Sequence, residues 1–539
     1  MQSLDPLWTE PVKLRRRTVD PLGLARVSDW ATEELVPGIT TVTTVARNYS
    51  FYSWMIRDLG LSGHTTNRLH FAKEFVKRES SLVLASMLHE KGHQEGRSPL
   101  GKERGQRFLD NAKGGKVRVD FSPSESNPLG FYGLYYRNAM RKLGLTRRGQ
   151  VTDQLTPLGN TLASAFEANV KAISYYARRN AESQTLTDLK RLAERCCICR
   201  LESSSGERDL LTDILFAKNL PGLTLEQSRR ESLLMVLSII EACSEHEVNL
   251  DDDVFRDVVF FSQFRKGSEV IDYNHARFED VWKRWRVYQL HEFFGYATEC
   301  LLTIFVRSVK QRDMTFDEFM ATQNSLGDKI LGELTLSNRP RTWKELLEEI
   351  LRKCGLDGLS RDNCVSFNSK RDLRSHVNER TLTTRVSNSL DEGHLSDAAA
   401  QGAAIIALTC VRGLAEIDSL SGVNTWFLSR AVRDFSIFSF LALVRRKWAL
   451  EVSNFVREIF MQIIQQHDII AYEKMQYGND TFRFVPKGSK YSFKLDVEPN
   501  FRSSRIYTMM SLLGDLGLIR ERRGVLTLTQ RGQRILKDG

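Results

Sequence analysis

The chain of 539 residues has no apolar run that reaches the ~18 residues needed to cross a bilayer. Its longest apolar stretches, 398–411 and 435–444, are short and end at Arg412 and Arg445. The basic cluster at 13–17 is not followed by an apolar segment either. We therefore expect neither a membrane span nor a secretory signal, and these features predict a cytoplasmic protein.

Cysteine is scarce, with eight residues in the whole chain. Cys300 and Cys410 lie within apolar helical patterns, which indicates reduced core thiols rather than a disulfide framework. The string 196–199 reads Cys-Cys-Ile-Cys and contains a C-x-x-C motif, but the remaining cysteines supply no second pair at ligand spacing. We expect free thiols and no metal site here.

The sequence also lacks a Walker-type phosphate-binding loop, the dinucleotide-binding motif G-x-G-x-x-G and the serine-hydrolase motif G-x-S-x-G. It therefore predicts no cofactor and favours a non-enzymatic protein. Two weak signals leave a metal-dependent hydrolase open as an alternative. His89-Glu90-Lys91-Gly92-His93 matches the zincin string H-E-x-x-H, although Gly92 is expected to end the helix that the string requires. The acidic run 251–253 could hold a cation, but an acidic helix start explains it as well.

One frame of residues occurs twice with the same spacing. Leu143-Gly144-Leu145 is followed ten residues later by Leu155-Thr156-Pro157-Leu158-Gly159, and Leu516-Gly517-Leu518 is followed by Leu528-Thr529-Gln530-Arg531-Gly532. We name the surrounding residues 130–166 the N-terminal frame and residues 500–539 the C-terminal frame. Each predicts a helix that ends in Leu-Gly-Leu, a two-stranded wing and a second helix that begins at a threonine cap.

The C-terminal frame resembles the multiple-antibiotic-resistance type of bacterial repressor, a winged-helix protein. The resemblance implies that the helix before Leu-Gly-Leu reads DNA and that arginines at the wing tip contact phosphates or the minor groove. The candidate DNA-binding residues in this frame are Arg502, Ser504, Arg505, Arg520, Arg522 and Arg523. A winged helix can also serve as a protein-docking module, which stays open.

The N-terminal frame departs from the DNA-binding pattern. Its presumed recognition helix carries Tyr132, Tyr135 and Tyr136 in place of basic side chains, although basic residues lie nearby, namely Arg137, Arg141, Lys142, Arg147 and Arg148. Of these, Arg147 and Arg148 are further candidate DNA contacts. Exposed aromatic residues suit a protein interface equally well, so the sequence leaves DNA and protein as alternative ligands of this frame.

The net charge of +10 is concentrated at the two ends. Residues 1–150 carry +9 and residues 501–539 carry +5, so the long middle of the chain is slightly acidic. A basic region at each end is consistent with contact to a polyanion, and it is also consistent with an ordinary solvated surface.

The expected fold is mainly α: a multi-domain helical protein with a winged-helix domain near each end and small β-hairpin wings. The predicted segments are an N-terminal helical plus winged-helix domain (1–170), a helical domain (171–355), a polar connection (356–395), a second helical domain (396–476) and a C-terminal winged-helix domain (477–539). Residues 276–310 and 396–475 are expected to share one core, with surplus aromatic residues such as Trp285 and Phe293 forming a docking face.

Together these features favour a non-enzymatic DNA-binding or scaffold subunit of a prokaryotic multi-protein DNA-processing system, in phage defence or genome maintenance. Its expected partners are double-stranded DNA and other proteins. One alternative is a kleisin-like bridging subunit of a chromosome-organising complex, because a helical middle between two winged helices is similar to that layout. The other is the hydrolase that would use His89, Glu90 and His93.

Overall fold

A computed structural model describes residues 15–16, 20–64, 67–89, 99–124, 127–150, 152–217, 224–323, 325–358, 361–420 and 434–539. The protein is mainly helical, with small antiparallel strand pairs, as the sequence predicts. None of the helices in these residues combines the length and the apolar character that crossing a membrane requires.

The helices of the first half of the chain are α1 (Ala25–Leu35), α2 (Arg47–Leu61), α3 (Arg68–Leu88), α4 (Lys102–Asp110), α5 (Arg137–Lys142), α6 (Pro157–Val170), α7 (Ser174–Arg178), α8 (Leu186–Cys196), α9 (Ser205–Leu215), α10 (Thr224–Glu245) and α11 (Asp252–Phe261). Those of the second half are α12 (Glu279–Gln311), α13 (Phe316–Thr322), α14 (Leu326–Glu333), α15 (Trp343–Lys353), α16 (Arg361–Lys370), α17 (Glu379–Asp391), α18 (Leu395–Leu420), α19 (Ile437–Lys447), α20 (Val452–Gln476), α21 (Ile506–Asp515) and α22 (Gln530–Asp538).

The strands form two-stranded pairs only, within the described residues. They are β1 (Arg15–Arg16), β2 (Lys116–Arg118), β3 (Thr146–Arg148), β4 (Asp153–Leu155), β5 (Ser183–Thr185), β6 (Gln263–Lys266), β7 (Glu269–Asp272), β8 (Asn479–Asp480), β9 (Phe484–Lys487), β10 (Lys490–Phe493), β11 (Ile519–Arg522) and β12 (Val525–Leu528). The pairs β3–β4, β6–β7, β9–β10 and β11–β12 are antiparallel hairpins, β2 pairs with β5 antiparallel, and β1 pairs with β8 in parallel.

The chain divides into two compact units, and each unit takes in two separated stretches of sequence. Unit 1 comprises residues 1–31 and 256–502, and unit 2 comprises residues 32–255 and 503–539. The five predicted segments follow one another along the chain, so they do not correspond one to one with these units. Both Leu-Gly-Leu motifs, with the hairpins and helices that follow them, belong to unit 2.

Unit 1 is built around α12 and α18, which pack against each other and bury most of their residues. The hydrophobic core contains residues from α12, α18, α19 and α20, which confirms that 276–310 and 396–475 share one core. The expected aromatic docking face is absent from α12, because Trp285 and Phe293 are fully buried and Trp282 is nearly so. These large side chains serve the packing of the helix rather than an exposed surface.

The polar stretch 356–395 is not an open connection. It contains α16 and α17, and Leu382 and Val386 of α17 are buried where that helix packs against α18. One of its polar residues forms a buried ion pair with α18. Glu379 accepts two hydrogen bonds from Arg412, and both side chains are completely buried.

Unit 2 is held together by buried ion pairs as well as by apolar packing. Arg78 of α3 donates two hydrogen bonds to Asp58 of α2, and Arg179 donates to the same carboxylate. Arg47 of α2 donates to both carboxylate oxygens of Glu207 in α9, at 3.2 and 3.0 Å, with both side chains at most 2% exposed. Buried charges of this kind are tolerated because each one is paired and hydrogen-bonded.

Candidate nucleic-acid interface

The two frames have the same local geometry. In each, the helix is followed by a glycine in the left-handed region, Gly144 with φ +68° and Gly517 with φ +69°. The hydroxyl of Thr156 then donates to the carbonyl oxygen of Gly144 at 2.6 Å, and that of Thr529 to the carbonyl oxygen of Gly517 at 2.7 Å. In each frame, the threonine that caps the next helix therefore also holds the backbone of the turn before the hairpin through this hydrogen bond.

The last glycine of each frame is required by close approach of the backbone. A Cβ atom added to Gly159 would lie 2.1 Å from the carbonyl oxygen of Leu145, and one added to Gly532 would lie 2.1 Å from that of Leu518. The amide of each glycine completes the helix cap by donating to the hydroxyl of Thr156 or Thr529 at 3.1 Å. The sequence repeat is thus a structural repeat.

The C-terminal hairpin presents arginines to solvent. Strands β11 and β12 are joined by a two-residue turn in which Arg523 has φ +54° and Gly524 has φ +79°, as a type I′ hairpin turn requires. Arg520, Arg522 and Arg523 are all exposed. None of the three has an ion-pair partner among the described residues, so their charge is available to a ligand.

The N-terminal hairpin repeats this arrangement with two arginines. Arg147 and Arg148 of β3 are exposed, and neither has an ion-pair partner in the part of the chain that the structure describes. The opposite strand begins with Asp153, whose buried carboxylate accepts hydrogen bonds from Tyr132, Arg137 and Arg141. The acidic residue of this hairpin is therefore neutralised internally, and the outer edge stays basic.

The other three candidates from the sequence are engaged inside the protein. Arg502 donates to the carboxylates of Glu299 and Asp20; burial opposes its charged form, but the hydrogen bonds to Glu299 prevail and raise its pKa above the ordinary value. Ser504 is 1% exposed and donates to Asp252 at 2.6 Å, while Arg505 is 5% exposed. The folded structure therefore uses these three side chains for internal contacts.

The helix before the C-terminal hairpin is covered rather than open. Arg505 donates to the carbonyl oxygen of Ile39 at 2.6 Å, Ser511 donates to that of Thr44 at 2.8 Å, and the Asp515 carboxylate accepts from the amide of Ala46 at 2.9 Å. We name residues 33–46 the covering segment. All ten residues of α21 are described, and only Tyr507 is exposed among them.

The helix before the N-terminal hairpin is covered by the same segment. Lys142 forms an ion pair with Glu33, and the side chain of Leu143 lies so close to Gly38 that no Cβ atom would fit there. Burial, with a smaller contribution from the nearby Arg505, lowers the pKa of Lys142. Tyr132 and Tyr136 are buried, so the aromatic surface expected on this helix is core, and Tyr135 is half-buried.

The catalytic alternatives receive no support from the described residues. Helix α3 ends at Leu88, and His89 has a non-helical ψ of +88°. The helix that the H-E-x-x-H string requires therefore ends before its first histidine. Glu90 and His93 lie outside the described residues. At 251–253, the Asp251 side chain accepts from the amide of Val254 and Asp252 accepts from Ser504. In the part of the chain that the structure covers, these carboxylates form no cluster that could hold a metal ion.

One group of metal-ligating side chains is not predicted by the sequence. His89, Cys197 and Cys199 come together in unit 2 although about 110 residues separate the histidine from the cysteines. The C-x-x-C string indicates Cys197 and Cys199 as possible ligands, but only the fold brings His89 to them.

Comparisons of the chain with protein-family models, with curated proteins and with solved structures give no match.

Proposed function

We propose that the protein is a non-enzymatic DNA-binding scaffold subunit whose two arginine-bearing hairpins contact the phosphate backbone of duplex DNA. The observation that carries this proposal is the repeated frame in unit 2, with Arg147 and Arg148 exposed on one hairpin and Arg520, Arg522 and Arg523 on the other. Both frames have the element order of a winged helix, namely helix, two-stranded wing and helix.

The covered helices decide how such a protein would bind. A winged-helix repressor reads bases with the helix before the wing, but α21 exposes only Tyr507 and α5 is packed against the covering segment. Exposed arginines on hairpins suit phosphates and the minor groove instead. We infer that binding depends on charge and on duplex geometry, with weak preference for sequence.

Membership of a prokaryotic DNA-processing assembly, in phage defence or genome maintenance, is part of the same proposal and rests on the lack of a catalytic signature beside the DNA-binding frames. A kleisin-like bridging role is less favoured, because both Leu-Gly-Leu motifs and their hairpins belong to one compact unit. A subunit of this kind would act in the cytoplasm beside protein partners that supply the chemistry.

Fluorescence anisotropy of labelled duplex DNA with the full chain tests the proposal over a range of salt concentrations. Removing one arginine that neutralises a phosphate should lower the slope of log affinity against log salt by ~0.9. Arg520→Ala/Arg522→Ala/Arg523→Ala should therefore lower the slope by ~2.7, and Arg147→Ala/Arg148→Ala should lower it by ~1.8. The matched control is Arg445→Ala/Arg446→Ala, which removes two exposed arginines from unit 1.

Unchanged affinity and slope in both hairpin variants would show that the hairpins do not contact DNA. The frames would then be protein-docking modules, the alternative that the sequence leaves open. Equal effects in the control would show that only the net charge matters. A second measurement with unrelated duplex sequences should give affinities within a few-fold of one another, and strong discrimination would contradict the inference that the covered helices do not read bases.

A further inference from the structure

Three metal-ligating side chains meet where two helices of unit 2 end. His89 directly follows α3, Cys197 directly follows α8, and Cys199 lies in the short 3-10 helix Ile198–Ser203. The two sulfur atoms and the imidazole nitrogen all lie within 4.8 Å of one another, and Cys199 Sγ is 3.3 Å from His89 Nδ1.

These distances between ligand atoms are close to those of a tetrahedral zinc site. With Zn–S bonds of about 2.3 Å and Zn–N bonds of about 2.1 Å, tetrahedral angles place sulfur and nitrogen about 3.6 Å apart and two sulfurs about 3.8 Å apart. Bringing the three ligand atoms to those separations needs shifts on the order of 1 Å or less, which side-chain rotation can supply.

The chemistry of the three ligands favours zinc over the hard cations. Two thiolates and one imidazole form a soft donor set that suits Zn²⁺, whereas Mg²⁺ and Ca²⁺ require oxygen ligands. No carboxylate belongs to the cluster in the described residues. Cys197 is buried while His89 and Cys199 are half-exposed, so a metal ion can enter from solvent on one side.

The backbone on both sides of the cluster is held by contacts that do not involve a metal. The carbonyl oxygen of Cys197 accepts from Arg47 Nη1 at 2.7 Å and from the amide of Arg200 at 2.9 Å. The amide of Cys197 donates to Ala193 in the last turn of α8, and that of His89 donates to Ala85 in the last turn of α3. Fixed backbones of this kind reduce the entropy that metal binding must overcome.

One neighbour must move when the metal binds. Arg200 Nη2 lies 3.4 Å from His89 Nε2, and that nitrogen carries the proton when Nδ1 binds a metal ion. Arg200 is exposed, so its side chain can turn into solvent. The same residue is useful as a probe, because its removal takes away a positive charge beside the ion.

We propose that His89, Cys197 and Cys199 bind one Zn²⁺ ion and supply three of its ligands. The ion would join the end of α3 to the end of α8 within unit 2, and none of its three ligands belongs to the arginine-bearing hairpins. This assignment departs from the expectation from sequence, which was free thiols and no metal.

The first experiment measures metal in the full chain purified under reducing conditions from zinc-supplemented cultures. We expect one equivalent of zinc by mass spectrometry, and replacement by Co²⁺ should give the thiolate-to-cobalt charge-transfer absorption and the visible bands of a tetrahedral ion. Cys197→Ser and Cys199→Ser should each weaken metal binding by more than ~100-fold, since even outer-shell losses cost ~10–100-fold. Cys243→Ser, which removes a buried cysteine of α10, should retain the metal, as should Arg200→Ala.

A second measurement uses the wild-type chain alone, so it does not depend on whether a variant folds. Zinc should protect the half-exposed Cys199 from a thiol reagent, and chelation should restore its reactivity. The proposal is overturned if the wild-type chain holds no stoichiometric zinc or if zinc gives no protection. It is also overturned if the metal survives both cysteine variants and is lost from His93→Ala, which would favour the H-E-x-x-H string.

Discussion

The buried carboxylic acid of Glu79 makes the stability of unit 2 depend on pH. Glu79 lies in α3 and is 2% exposed; its Oε1 atom accepts from the Tyr52 hydroxyl at 2.7 Å and from the amides of Phe131 and Tyr132 at 3.1 and 3.2 Å. Burial raises the pKa of Glu79 to about 7, because these hydrogen bonds only partly offset the desolvation of the charged form.

The sign of the effect follows from proton binding in the two states. The ordinary pKa of this group is 4.5, so between that pH and about 7 the folded protein binds more protons at this site than the unfolded chain does. Its contribution to stability is therefore full below pH 4.5 and is lost as the pH rises through about 7. Between about pH 5 and about pH 8 the loss amounts to about 2–3 kcal/mol.

Glu79→Gln isolates this effect, since the amide keeps an acceptor for the two backbone amides but does not ionise. The stability difference between Glu79→Gln and wild type should shift by about 2–3 kcal/mol in favour of the variant when the pH rises from about 5 to about 8. The comparison between variants matters because buried His291 and His467 in unit 1 have pKa values lowered to about 4 and give the opposite trend.

Hydrogen exchange of amides in α3 measures the stability of unit 2 even if the two units unfold separately. Glu194→Gln changes an exposed carboxylate of the same unit and serves as the matched control. A stability difference between Glu79→Gln and wild type that stays constant with pH would refute the reasoning, as would a shift of the opposite sign.

Two further predictions concern the cores of the units. Arg47→Ala leaves the Glu207 carboxylate buried without its cation and should destabilise unit 2 by ~3–5 kcal/mol in denaturant unfolding. Arg47→Met/Glu207→Leu removes both charges and should destabilise the unit less. Equal losses of stability in the two variants would show that the unpaired carboxylate is not the cause. Phe293→Ala should destabilise unit 1 by ~3–5 kcal/mol because the side chain is fully buried in its core. An unchanged melting temperature would contradict this and would favour an exposed docking residue instead.

The repeated frame could be predicted because its residues encode local geometry. A glycine with φ near +70°, a threonine that caps the next helix and a glycine that touches a carbonyl oxygen all act within about 15 residues of one another. The same is true of the capping box at Thr342 and Glu345, which begins α15 at Trp343. Such signals need no knowledge of distant parts of the chain.

The parts that could not be predicted depend on contacts between distant stretches. Ser511 meets Thr44 across 467 residues of sequence, and Arg505 meets Ile39 across 466, so nothing near the C-terminal frame indicates that its helix is covered. The metal-ligating group has the same origin, because Cys199 meets His89 across 110 residues. The discontinuous units cannot be predicted from local patterns for the same reason.

The covered helix also limits what the C-terminal frame can do without a change of structure. Opening α21 to a major groove would break the hydrogen bonds that Arg505, Ser511 and Asp515 make with the covering segment, and their buried partners would then need new ones. The hairpin arginines need no such change, since Arg520, Arg522 and Arg523 already reach solvent from a short and well-paired hairpin. In the DNA-binding mode that we propose, contact through the hairpins therefore leaves the folded state unchanged, whereas base readout by α21 would require displacement of residues 33–46.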